Sequence, residues 1–472
     1  MLNQVLKCGF ILCLILQSCV PSLPQIKEKS DLIIPKNIEN SNSENSENIT
    51  QKNWRDFFHD ETLNQLIAIA LKNNQELNIL QQEVNIADNE VLRSRGNYFP
   101  KVGVVAGYEY EKTSANSARG VSDEKSEIAD KLGTRQIGFN SSWELDIYGK
   151  LRGKAKSFYL NYLATIEGKN FAQTKLITEI ASNYYELMAL DNQLEIINEY
   201  VTNLEKSRDI VELQKKAGRT TALATTRFDA EIRKVESQRL EIKRAQVSVE
   251  NNLNKLLGRL PQPIARPSQS FSEVNFKKIN GNIPSKLLDN RPDIKQASLQ
   301  LKASKLMVSS VRKEFYPSLS IDANIGYQSF NSKHLLQSPE SVFYNVAGNL
   351  TAPLLNRSAI KSEYFSANNK QIQAIYNYEK TFINAFSEVA NQLFYTKNLE
   401  ETYNVKFKQV SALTKSVEIS NALFNAARID YLELLLTKRD FLEAKMELME
   451  VKRKQIISYI NLYRALGGST WQ

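Results

Sequence analysis

The chain has 472 residues, a formal net charge of +9 that falls to +8 once Lys7 is removed with a leader, and acids and bases interspersed along its length. No basic helix with interleaved aromatics appears, so nucleic-acid binding is not expected. All three cysteines (Cys8, Cys13, Cys19) lie in the first 19 residues and the two histidines (His59, His334) stand far apart, which argues against a disulfide framework and against a zinc or redox centre.

Lys7 precedes an apolar run, Cys8 to Leu16, too short to span a bilayer but suited to the core of a secretory signal over residues 1–18. The run ends in Leu16-Gln17-Ser18-Cys19, which resembles the lipobox of bacterial lipoproteins; the resemblance makes Cys19 the lipidated first residue of the mature chain. Val20 in place of aspartate fits outer-membrane sorting by the same resemblance. Residues 19–52, rich in Asn, Ser, Glu and Lys with prolines at 21, 24 and 35, read as a flexible tether between lipid and folded body.

The first structural repeat covers 53–258. It opens with one amphipathic helix through Leu63, Leu66, Ile67, Ala70, Leu71 and Leu77, then reaches Tyr98-Phe99-Pro100 and a β-hairpin over 101–147, with strands near 101–110 and 135–147. In the second strand Ile137, Phe139, Trp143, Leu145 and Ile147 alternate with Gly138, Asn140, Ser142, Glu144 and Asp146, giving one face for lipid and one for water. A proline-free helix follows, about 150–216, in which Leu187, Leu190, Leu194, Ile197, Val201, Leu204 and Val211 form a coiled-coil seam. After a break at 216–221 a second helix returns to Leu257-Gly258.

A connector, 259–284, carries Pro261, Pro263, Pro267 and Pro284 and reads as irregular. The second repeat, 285–468, restates the first at an offset of 217: Phe315-Tyr316-Pro317 matches Tyr98-Phe99-Pro100, and strands near 318–328 and 342–353 form a hairpin with Asp322, Asn324, Asn345 and Asn349 on the non-lipid side. Its long helix, about 358–426, keeps part of the seam in Leu399, Val410, Leu413 and Val417, interrupted by Lys406, at offset 209. A tail, 469–472, follows Gly468. The hairpin loops, 113–130 and 329–340, take the external side of the expected barrel.

Four strands of membrane-spanning length cannot close a barrel, and an open edge in lipid leaves backbone groups unsatisfied, so several protomers must share one barrel. Two protomers give eight strands and three give twelve; the residues leave the count open. The expected fold class is therefore a mixed α and β membrane protein, internally duplicated, with a long α-helical coiled-coil barrel and a shared transmembrane β-barrel.

Trp143-Glu144-Leu145-Asp146-Ile147-Tyr148-Gly149-Lys150-Leu151-Arg152 and Asn290-Arg291-Pro292-Asp293-Ile294, together with the lipobox and the duplication, resemble the outer membrane factor family, the TolC-like channels, in its efflux-pump lipoprotein branch. The resemblance spans Trp54 to Gly468. It implies a homotrimer in the outer membrane with a helical tunnel across the periplasm, partnered by a periplasmic adaptor (membrane fusion) protein and a proton-driven inner-membrane pump of the RND type. A secretion-type ABC transporter, as in type I protein secretion, is the second choice. It also implies a periplasmic gate at Asp430, Tyr431, Leu432, Glu433, Leu436 and Arg439, and adaptor-contact tips at Gly218, Arg219, Thr220, Ala427 and Arg428. Leu436 stands where many members carry aspartate, so a hydrophobic constriction replaces an acidic ring at that level; Ala427 stands where the matched turn has Gly218, which makes docking at the second tip the less secure half. The leucines read equally well as seam residues, and the acids as a solvated helix start. Outside this family, a non-pore coiled-coil envelope lipoprotein accounts for the helices but not for the alternating hairpins, and no catalytic constellation, metal cluster or cofactor-binding loop points to an enzyme.

Overall fold

A computed structural model of the chain describes residues 20–23, 53–112, 114, 131–266, 271–276, 288, 290–353 and 357–468. The signal, Cys19, most of the tether and first hairpin loop, parts of the connector and the tail fall outside the described residues.

The elements run α1 (Trp54–Phe58), α2 (Glu61–Asn73), α3 (Gln75–Gly96), β1 (Lys101–Lys112), β2 (Lys131–Leu145), α4 (Lys150–Lys216), α5 (Ala222–Leu256), α6 (Pro292–Arg312), β3 (Ser318–Ser329), β4 (Val342–Thr351), α7 (Ser358–Asn425) and α8 (Tyr431–Ala465). The duplication is visible in the fold, since β1 and β3 have the same length and start 217 residues apart. They belong to two compact units, one holding 84–165 and 297–378 with residues 20–23, the other the described residues of 53–83, 166–296 and 379–468.

In the first unit the strands form one antiparallel sheet in the order β1-β2-β3-β4. Register stacks the apolar positions of all four strands on one face: Val104, Phe139, Ile325 and Tyr344 align across it, as do Ala106, Ile137, Tyr327 and Val342. The opposite face aligns Gly103, Asn140, Asn324 and Asn345, and Asn349 donates to Asp322 at 2.8 Å. At the sheet's centre Gly138 faces Gly326; a Cβ on Gly138 would sit 2.4 Å from the Ile325 carbonyl oxygen, so the β2–β3 approach requires glycine. The second strand stops at Leu145, two residues short of the expected Ile147. The cause is Asp146, whose carboxylate accepts from the backbone N–H of Leu151 and of Arg152, both at 2.9 Å, and from Arg152 Nε at 3.0 Å, so this segment turns to cap α4 instead of extending the strand. Close to β3, a cluster of Val308, Val311, Phe315, Tyr364 and Ala367 is packed against by Val20 and Leu23, so the start of the tether is held against the folded body.

In the second unit the expected single helix through Leu63 to Leu77 is two pieces, α2 and α3, preceded by the short α1. Asn74 ends α2 with extended backbone, accepts from Leu77 N–H at 3.0 Å to start α3, and donates to the Leu256 carbonyl at 2.9 Å. One side chain thus satisfies the ends of two helices and ties them to a third. The seam of α4 is core: Leu187, Ile197, Leu204 and Val211 are at most 1% exposed, each contributing about 1.5–3 kcal/mol. Part of the described connector packs on the body, with Phe271 buried and Phe276 stacked on Phe57 and edge-on to Tyr185.

Candidate functional site

Two regions combine exposure with an arrangement that folding alone does not require. The first is the apolar face of the sheet. Val104, Val346 and Tyr344 are 70, 73 and 80% exposed, and with Val102, Phe139, Ile325 and Leu350 they form a continuous apolar surface across four strands. Such a surface marks a membrane or an interface. Strands of 10 to 15 residues are long enough to cross the hydrocarbon layer at a tilt. Among the described residues no helix is long and apolar enough to cross a membrane.

The second region is the pair of helix-hairpin tips. At the first, α4 ends in a Schellman turn: Arg219 N–H donates to the Gln214 carbonyl at 2.9 Å and Gly218 N–H to Lys215 at 3.0 Å, with Gly218 at φ +68°. The second tip repeats it bond for bond, Arg428 to Leu423 at 2.9 Å and Ala427 to Phe424 at 3.0 Å, but the left-handed position is Ala427 at φ +55°. Glycine's freedom is missing at a turn that demands it, at a cost of about 1 kcal/mol. Gly218, Arg219, Ala427 and Arg428 are exposed and Thr220 is half-buried.

Beyond the second turn Asp430 caps α8, its carboxylate accepting from Tyr431 N–H at 2.7 Å. The first turns of α8 divide their side chains. Leu434, Leu435 and Leu442 are buried, whereas Leu436, Glu433 and Arg439 are exposed and Leu432 is half-buried. Leu432, Leu436 and Arg439 share one stripe; Glu433 lies about 100° round the helix from Leu432, so the acidic and apolar candidates do not share a face. Arg439 pairs only loosely with Asp440, at 3.7 Å.

Two residues of importance were missed by the sequence reasoning. Lys438, four residues after Leu434 on the inward face of α8, is 6% exposed; a lysine at a seam position was the available signal. Arg291 belonged to a motif noted only for resemblance. It is 4% exposed, donates to the Ala465 carbonyl at 2.5 Å, to both Asp293 oxygens at 3.0 and 2.9 Å and to Glu388 at 2.9 Å, clamping the start of α6 to the end of α8. Among the described residues no group of His, Cys, Asp or Glu is arranged to hold a metal ion.

The outer membrane efflux protein family matches residues 66–259 and 283–468, one match for each repeat. The cation efflux system protein CusC of Escherichia coli O6:H1 is 28% identical over 435 residues, covering 90% of each chain. The probable outer membrane lipoprotein SilC of Salmonella typhimurium is 26% identical, covering 88% of this chain and 87% of that one. In fold, the open-state MtrE outer membrane channel of Neisseria gonorrhoeae superposes with a TM-score of 0.84 at 22% identity, over 95% of this chain and 98% of that one. Channels of this class act as trimers with an adaptor and an inner-membrane pump. With lipid-ready strands, duplicated hairpins and exposed tips, the chain belongs to the outer membrane efflux protein family and is the outer-membrane channel of a tripartite efflux system.

Proposed function

We propose that three copies of this chain close one twelve-stranded barrel, anchored through lipidated Cys19, and form a passive conduit that a periplasmic adaptor and an RND-type, proton-driven pump open from the periplasmic end. The observation that carries this is the sheet itself: β1 pairs only with β2 and β4 only with β3 among the described residues, while the apolar face runs out to both edge strands. An unpaired edge is not tolerated in hydrocarbon, so β1 and β4 edges of neighbouring copies complete each other. Energy comes from the pump, and the channel's part is to offer a wall and a gate. Anchoring is supported by the packing of Val20 and Leu23 against the residues just before β3, and by the lipoprotein description of SilC.

The gate is assigned to the first turns of α8. In a threefold assembly Leu432 and Leu436 each become an apolar ring, which blocks ions by excluding water, and Arg439 a charged ring one turn on. The exposed turns at Gly218–Thr220 and Ala427–Arg428 are the surfaces an adaptor would grip. Cargo selection belongs to the pump.

The decisive experiment is the mass of the detergent-solubilised protein by light scattering, with planar-bilayer conductance in parallel. A trimer that conducts, and conducts several-fold more after Leu432→Ser with Leu436→Ser, supports both barrel and gate. A folded, nonconducting monomer or dimer overturns the barrel; a trimer whose conductance the double replacement leaves unchanged overturns the apolar gate alone.

A further inference from the structure

Behind the Leu432–Leu436 stripe, α4, the end of α7 and the start of α8 form a cavity of about 270 Å³ that is partly open to solvent. That lies between the 150 Å³ that holds benzene and the 300 Å³ where drug-sized pockets begin, room for roughly a dozen heavy atoms. Its apolar wall is made by Ile196, Tyr200, Phe424, Leu434, Phe441 and Leu442. Tyr200 is 6% exposed and its buried hydroxyl has no hydrogen-bond partner.

The polar groups of the cavity are unbalanced. Lys438 borders it, 6% exposed, and its ammonium donates to Ser207 Oγ and, at 3.5 Å, to the Asn203 carbonyl, both neutral. No carboxylate pairs with Lys438 among the described residues, and burial alone depresses its pKa. Lys206 and Lys445 also line the cavity against a single carboxylate, Glu199, which Lys445 holds at 3.3 Å. An ammonium taken out of water without a counter-charge is an expensive feature, and here it stands beside empty space and an apolar wall. A seam position is served better by leucine, so packing does not account for the lysine.

We propose that this cavity is a binding site for a small amphipathic monocarboxylate, its carboxylate paired with Lys438 and its apolar body against Phe424, Leu434 and Phe441. The occupant supplies the missing charge and contacts all three helices at the second tip. The site is independent of the gate assignment, because binding is read directly and not through conductance.

The probe is 4-phenylbutyrate, twelve heavy atoms, titrated by calorimetry into the assembled channel in lipid nanodiscs, with empty nanodiscs subtracted. For a ligand of that size a Kd on the order of 0.1–1 mM is expected. The neutral 4-phenylbutanol should bind at least about tenfold more weakly, and Lys438→Met should weaken 4-phenylbutyrate by a similar factor, whereas Lys206→Met at the rim should cost less than about threefold. The proposal fails if the wild-type channel gives no saturable heat up to about ten times the upper expected Kd. It fails equally if alcohol and acid bind alike, a comparison on the unaltered protein that needs no variant to fold. Undiminished binding to an assembled Lys438→Met channel also overturns it.

Discussion

Arg291 is the residue whose removal separates a structural clamp from a decorative motif. The guanidinium makes four bonds, one to the Ala465 carbonyl, two to Asp293 and one to Glu388. Breaking a fully buried ion pair by deleting one partner costs about 3–5 kcal/mol, mostly from the charge left behind. Here the carboxylates are not abandoned. Asp293 still accepts from Ile294 N–H at 2.9 Å, Glu388 keeps Arg464 at 2.9 Å, and their side chains are 18 and 27% exposed. The cost of Arg291→Gln therefore falls to about 2–3 kcal/mol, or roughly 30- to 150-fold in local opening. Native-state hydrogen exchange on the assembled channel should show that loss of protection at the Gly467 and Gly468 amides, which bond to Arg464 and Tyr463 in the last turn of α8. Arg291→Lys keeps the charge but not the fork and should lose about half as much. Arg464→Gln removes one partly exposed pair and should cost under about 1 kcal/mol. Protection within threefold of wild type in Arg291→Gln would refute the clamp.

At the sheet's centre Gly138→Ala places a Cβ 2.4 Å from the Ile325 carbonyl oxygen and 2.8 Å from the Gly326 Cα, both backbone; trimer yield by light scattering should collapse, and normal yield would contradict the close approach. At the second tip Ala427→Gly relieves the left-handed alanine and should slow exchange of the Arg428 amide by up to about fivefold, while Asp430→Ala removes the cap of α8 and should speed exchange in its first turn, at about 1 kcal/mol; opposite signs would undo that account. Lys438→Met should raise the thermal midpoint at neutral pH, since Ser207 Oγ keeps its bond to the Asn203 carbonyl at 2.9 Å and no polar group is orphaned. Burial holds the folded lysine below its ordinary value near 10.5, so between the two values the unfolded chain binds more protons and wild-type stability climbs with pH. The advantage of the methionine should shrink towards pH 10.5; a constant or widening gap would show that burial does not lower the pKa of Lys438 in the folded protein.

What the sequence made legible follows from which forces act along it. The starts of β1 and β3 could be read to the residue because lipid on one side and water on the other impose a period of two that nothing else in the chain interrupts. The seam of α4 was equally plain, since steps of three and four from Leu187 to Val211 mark the face that is buried. Residues that answer to distant partners were not legible. Asn74 falls inside the stretch expected to be one amphipathic helix, and its bonds to Leu77 N–H and to the Leu256 carbonyl, 182 residues away, make it a helix break. Asp146 fell in phase with the polar face of β2, yet its carboxylate serves the backbone of α4. In α8 the spacing puts Leu432, Leu436 and Arg439 on one stripe but says nothing of Lys438, one residue before Arg439, whose burial depends on where Asn203 and Ser207 of α4 come to rest.

The two copies differ most in how much of themselves they bury. In α4 the seam is closed within the chain, whereas the matching seam of α7 stays half-buried, and Phe394, Tyr395, Val405 and Phe407 on the same helix are 55 to 69% exposed. Aromatic surface on that scale, on a helix free of proline and glycine, is not a solvent face. Such exposed apolar positions, beside a tip that matches the first down to two Schellman bonds, fit a second repeat that completes its packing against the first repeat of a neighbouring copy, as proposed for β4 at the sheet edge. Burial within the chain and exposure beyond it are then two halves of one interface, and the same asymmetry that leaves α7 incomplete is what lets several identical chains surround a conduit.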